Sequence, residues 1–227
     1  MPNIQWKTAL RKTFKHNILP YIEVTEEYID GKRYYVMPNG RKYPSVTTVI
    51  SSKMPKDGIK AWRERVGEEE ANRVLAKANK RGTAVHAMAE RYVLNEEDYT
   101  RGYDIFDRAT FNELKMHLNN HVDNILGIEM PLYSNGLNTA GRGDLFATYD
   151  GIPSYIDYKT SGKEKPEEWI ENYFIQATTY AMMFEWIYKI KVPQIVIMIS
   201  VDSAPAQVFV KDRSKYVDRV LEIFRGE

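Results

Sequence analysis

The 227-residue chain contains no cysteine. This removes disulfides, thiolate zinc sites and cysteine-bound iron–sulfur clusters, and it suits a reducing compartment. No apolar run approaches the roughly 20 residues of a membrane span. The N-terminus lacks the apolar stretch of a secretory signal. Charge of one sign is also missing: 32 Lys and Arg stand against 31 Asp and Glu, for a net +1. A nucleic-acid binder usually shows a basic footprint, so such a function would have to rest on local patches. There is no repeat, no low-complexity tract and no GxxxxGK[ST] phosphate loop. What remains is the composition of an ordinary globular protein, long enough to bury a core without staples.

Two patches are basic. Lys7, Arg11, Lys12 and Lys15 occur with no acid in the first 17 residues, which reads as an exposed basic arm. From Lys53 to Arg81 there are nine bases against five acids. A solvated helix face explains that excess as well as a polyanion contact does.

The expected fold is α+β, a mixed β-sheet flanked by helices, in one domain over 1–227. Residues 1–52 read as N-terminal strands, with Asp30-Gly31 and Asn39-Gly40 as turns of a meander and "KYPSVTTVIS" as its last strand. Residues 53–126 read as helical, interrupted at Gly67. Gly82 ends a helix there, and Thr83 caps a new one through "AVHAMAERYVL". A polar, aromatic loop from Asn95 to Tyr103 precedes a helix through "FNELKMHLNNHVDNIL". Residues 127–227 form the core: a strand "GIEMPLYS", a hairpin, a helix from about Pro166 to Ile190, the buried central strand "PQIVIMISV", its partner "AQVFV", and a closing helix.

The hairpin "GRGDLFATYDGIPSYIDYKTSG" poses the main question. Asp150-Gly151 is its turn, yet Asp144 and Asp157 lie within strand segments, where Asp is depleted. Counting outward from a two-residue turn sets Asp144 directly opposite Asp157, about 4.5–5.5 Å apart at Cβ. Like charges so placed destabilise a sheet unless a cation compensates. Two carboxylates and water suit a hard divalent ion such as Mg²⁺. Lys159 is two residues past Asp157 and shares its face. The bland alternative is a solvent-facing salt bridge among the three.

Three further places bear on this site. His86, in the first turn of a helix begun at Thr83, would stand where free N–H groups favour phosphate, and imidazole ligates divalent metals; a plain surface or core histidine is the alternative. Gln176 and Tyr180, at i and i+4 in "QATTY", share one helix face, although the surrounding run is largely apolar. Glu129, in the strand before the hairpin, is a possible orienter of water or metal, or a plain structural charge.

In order, "RGTAVH", "GRGD", "DYKT" and "QATTY" resemble the RecB-type branch of the PD-(D/E)XK nuclease superfamily. "YPSVTTVIS", "WRERVGEEEANRV" and "RGTAVHAMAERY" resemble phage exonucleases related to mitochondrial genome maintenance exonuclease. Gly143 stands where the superfamily name has proline, and the third motif is Asp-Tyr-Lys rather than Glu-x-Lys. The resemblance implies a nuclease-like sheet with a helical arch. It implies Mg²⁺ or Mn²⁺ held by His86, Asp144, Asp157 and the carbonyl of Tyr158, with Lys159 positioning or activating water and no iron–sulfur cluster. Gln176 and Tyr180 would support the scissile phosphate. Thr83 and Arg81, with Lys60 and Arg63 of the basic segment, would contact the strand. Trp62, Tyr92, Tyr99, Tyr103 and Phe106 offer stacking faces for single-stranded DNA. The implied activity is exonucleolytic cleavage during replication, recombination or repair, beside phage or host partners. The implied location is the cytoplasm of a bacterial host rather than a mitochondrion, with no membrane. A structure-selective endonuclease and a non-catalytic single-strand binding module are the alternatives.

Overall fold

The computed structural model describes residues 12–55 and 57–226. Three short strands open it: β1 (Thr25–Ile29), β2 (Lys32–Val36) and β3 (Lys42–Pro44) pair in order as a small antiparallel sheet. Asp30 and Gly31 both take positive φ (49° and 71°), as a two-residue hairpin turn of the right twist requires.

The last expected strand of this region is strand only at its start, as β3; from Val46 it is helix α1 (Val46–Lys53). Its run of Val, Thr and Ile favours strand locally. Ser45 decides otherwise: its hydroxyl accepts from the Thr48 amide at 3.0 Å as an N-cap. One helical turn then places Val46 and Ile50 together on the buried face.

Helix α2 (Asp57–Val66) ends at Gly67, whose φ of 86° breaks the chain direction, and α3 (Glu68–Val93) follows with Glu68, Glu69 and Glu70 in its first turn. α3 does not stop at Gly82. Thr83 caps nothing: it lies mid-helix and its hydroxyl donates to the Asn79 carbonyl at 3.0 Å. A mid-helix glycine costs about 1 kcal/mol. The face that includes Val85, Met88, Ala89, Tyr92 and Val93 is fully buried and offsets this cost several times over. Helix α4 (Ile105–His121) begins six residues before the expected start, because Asp104 caps it by accepting from the Phe106 and Asp107 amides at 2.9 Å. The expected helical "VDNIL" belongs instead to β4 (Val122–Ser134).

β5 (Thr139–Tyr149) and β6 (Ile152–Ser161) form the hairpin around Asp150 and Gly151, again with both φ positive. A 3-10 turn (Glu167–Trp169) leads into α5 (Glu171–Tyr188), which carries the chain to β7 (Gln194–Val201). β8 (Ala204–Asp212) and α6 (Val217–Arg225) close it. The five-stranded sheet runs β4-β5-β6-β7-β8, antiparallel except for β6 with β7. β7 alternates across two cores: Ile195, Ile197 and Ile199 pack with α1, α5 and α6, while Val196 and Met198 pack with α3 and α4. The described part of the basic N-terminus is docked on the body by backbone hydrogen bonds of Lys15 and Asn17 with Ile125, although the Lys15 side chain stays exposed. Phe14 is buried against Tyr92, and Lys12 donates to the Asn119 carbonyl at 3.0 Å. Lys7 and Arg11 lie outside the described residues.

Candidate metal centre and active site

Strand register assembles the site. Leu145 pairs with Ile156 on β6, and Ile128 and Met130 pair with Leu145 and Gly143 on β5. Glu129, Asp144 and Asp157 therefore form one transverse row across β4, β5 and β6. The hairpin register expected from Asp150-Gly151 is the one observed, as Tyr149 pairs with Ile152. Backbone pairing of β5 with β6 stops at Leu145–Ile156. Beyond it the Asp144 carboxylate replaces a backbone partner, with Oδ2 accepting from the Tyr158 amide at 2.9 Å.

His86 enters this opening from α3. Its Nε2 lies 2.7 Å from the Tyr158 carbonyl oxygen. A carbonyl only accepts, so Nε2 carries the hydrogen and Nδ1 presents a lone pair, 3.4 Å from Asp144 Oδ2. The ligand atoms of His86, Glu129 and Asp144 all lie within 4.8 Å of one another. Two carboxylates and an imidazole lone pair converging in this way fit a divalent cation. Glu129 thus joins the candidate ligands rather than standing behind them. The Tyr158 carbonyl is beside the cluster, with its oxygen accepting from His86.

Asp157 makes a different set of contacts. It is 1% exposed, forms an ion pair with Lys159, and accepts from the Tyr155 hydroxyl at 3.3 Å. Burial raises its carboxyl, the Lys159 ammonium pulls it back, and the Asp144 charge raises it again; the net direction is up. For Lys159, burial favours the neutral amine, but Asp157 and Asp144 outweigh it and hold the ammonium charged. Glu129 takes φ 46°, a strained backbone for a non-glycine residue. Burial first, then Asp144 and Glu90, push its carboxyl up to about 8, opposed by Arg142.

Sequence reasoning missed two participants. Tyr155 also meets the Asp144 amide at 3.3 Å and so ties both aspartates together. Arg142, two residues before Asp144 on the same face, donates to the Glu129 carbonyl at 3.3 Å and lies 3.8 Å from Glu26. The "GRGD" spacing carried that signal.

Other expected residues fall elsewhere. Tyr180 is buried beneath β5, with its hydroxyl against the place where a Cβ on Gly141 would sit. Gln176 and Lys159 line one groove between α1 and α5. Arg63 pairs with Glu68, and Arg81 pairs with Asp202 at the β7–β8 turn. Arg81, Lys77 and Lys80 line a cavity of about 780 Å³ that also holds Asp104, Asp107, Glu113 and Asp202, so this part of the basic segment faces acids. Lys60 is exposed on α2. Thr83, without a helix N-terminus, has lost the basis for its phosphate role. Among the expected stacking faces, Tyr92 is core, Tyr99 and Tyr103 pack against it, and Phe106 is 79% exposed.

No protein-family model matches the chain. Among curated proteins it is similar to mitochondrial genome maintenance exonuclease 1 of Homo sapiens, 27% identical over 142 residues, and of Mus musculus, 26% identical over 130 residues. The similarity is to exonucleases. It covers 60% and 54% of this chain, and the chain spans only 39% and 38% of those relatives' length. A solved chain from Eubacterium rectale, described as a candidate exonuclease, superposes with a TM-score of 0.38 at 10% identity, over 65% of this chain and 68% of that one. Among the described residues, no helix is long and apolar enough to cross a membrane.

Proposed function

We propose that this chain is a divalent-metal-dependent nuclease that hydrolyses phosphodiester bonds of DNA, acting on single-stranded ends. The row Glu129–Asp144–Asp157, with His86 and Lys159 against it, carries this reading. Three carboxylates in register would destabilise the sheet unless they served a cation. The distant exonuclease relatives supply the same direction independently.

In this reading His86, Glu129 and Asp144 hold Mg²⁺ or Mn²⁺. When bound, the ion polarises the phosphoryl oxygen and lowers the pKa of water. Asp157 fixes the Lys159 ammonium in the dry floor of the site. Lys159, held protonated, acts as a fixed positive charge beside the oxygen that gains negative charge, rather than as the base. Tyr155 locks Asp144 and Asp157 in place, and Arg142 faces the same side as a second cation. Gln176 lines the approach to Lys159, and Tyr180 supports β5 from below.

The test is degradation of linear and circular single strands and duplexes by the purified chain, in Mg²⁺, Mn²⁺ or chelator. The reading expects metal-dependent loss of linear single strands and survival of circles. Cut circles would make it an endonuclease, and no cleavage in any metal would remove the activity.

A further inference from the structure

Beside the carboxylate row lies a groove of about 570 Å³ between α1 and the start of α5. One wall is a helical stripe of Trp169, Asn172, Tyr173 and Gln176, and the other is α1 with Thr47 and Ser51. Lys159 opens into it and sits over the Tyr173 ring at 5.3 Å. Trp169 is 70% exposed. Among the described residues, no ring, side-chain hydrogen bond or ion pair engages its indole or the amides of Asn172 and Gln176. A large aromatic face left to water, on the same wall as two unengaged amides, suits a flat polar ring.

We propose that this groove seats one unpaired nucleobase of the DNA strand, stacked on Trp169, with Asn172 and Gln176 toward its polar edge. The inference deepens the nuclease reading and rests on it for the identity of the strand. The groove shares Lys159 with the candidate site, so a seated base belongs to a nucleotide next to the one being cut. A paired base has its faces covered by neighbours and its edge by its complement, so the seat selects for single strands. A π-face is common to every base, so selection among sequences is weak.

The experiment titrates intrinsic fluorescence with a twelve-residue thymidylate strand in chelator, using a chain carrying W6F, W62F and W186F so that Trp169 reports alone. The comparison strand has the same length and phosphates but no bases. Thymidylate should quench Trp169 saturably, and the abasic strand should not. In the otherwise natural chain, Trp169→Ala should weaken thymidylate binding by about tenfold or more, with abasic binding unchanged and Trp169→Phe close to wild type. Because Trp169 is exposed, the substitution leaves the fold intact. Equal quenching by both strands, or a Trp169→Ala affinity within about twofold of wild type, overturns the proposal. Quenching by a protein that cleaves nothing would sink the nuclease reading and leave the seat. Cleavage without quenching would do the reverse.

Discussion

At the scale of single residues, Glu129 combines a positive φ with a buried carboxyl. Burial first, then the Asp144 charge, push its carboxyl up to about 8 from an ordinary 4.5. Between those values the folded chain keeps a proton that the unfolded chain has released. Stability of the metal-free protein therefore falls as pH rises through that window. In chelator, wild type should lose on the order of 2 kcal/mol between pH 5 and 8, and Glu129→Gln much less, measured by urea denaturation. Parallel pH profiles would mean that Glu129 is not buried as described. Residue chemistry also decides which variant tests the site cleanly. Asp157→Ala strands a buried ammonium and should cost about 3 kcal/mol, so lost activity there mixes chemistry with folding. Asp144→Asn removes charge without stranding a cation, and is expected to keep the melting temperature while abolishing metal-dependent cleavage.

At the scale of elements, the hairpin was legible because a two-residue Asp-Gly turn fixes register for every pair beyond it. That alone set Asp144 against Asp157. Glu129 was legible only as a possible orienter, since its register against Asp144 is set by the four-residue connection 135–138, which no two-residue turn signal pins. α1 and the continuity of α3 were misread for opposite reasons: β-branched residues hid a helix, and Gly82-Thr83 imitated a boundary where tertiary burial kept one element. Two substitutions check this account. Ser45→Ala should cost about 1 kcal/mol as a lost cap, whereas Thr83→Ala should stay within about 0.5 kcal/mol. A cap-sized loss at Thr83 would restore the helix break. Gly141→Ala drives a methyl into the Tyr180 hydroxyl and should destabilise by roughly 1–3 kcal/mol. Adding Tyr180→Phe should recover part of it. No recovery would place the strain elsewhere.

At the scale of the whole molecule, near-neutrality persists in three dimensions. Arg63, Arg73 and Arg81 are each paired with an acid, and Lys77 and Lys80 face three more, Asp104, Asp107 and Glu113. Affinity for a strand should then fall only gently with salt, and Lys77→Ala should shift it within about twofold. A steep salt slope that Lys77→Ala flattens would return that helix face to the strand path. The sheet also brings charge together at the opening where β5 leaves β6 and His86 enters. The most direct test of that opening as a metal centre is calorimetric titration of Mn²⁺ into wild type and Asp144→Asn. The account predicts saturable binding to wild type that Asp144→Asn loses while remaining folded. Undiminished binding to Asp144→Asn would contradict it.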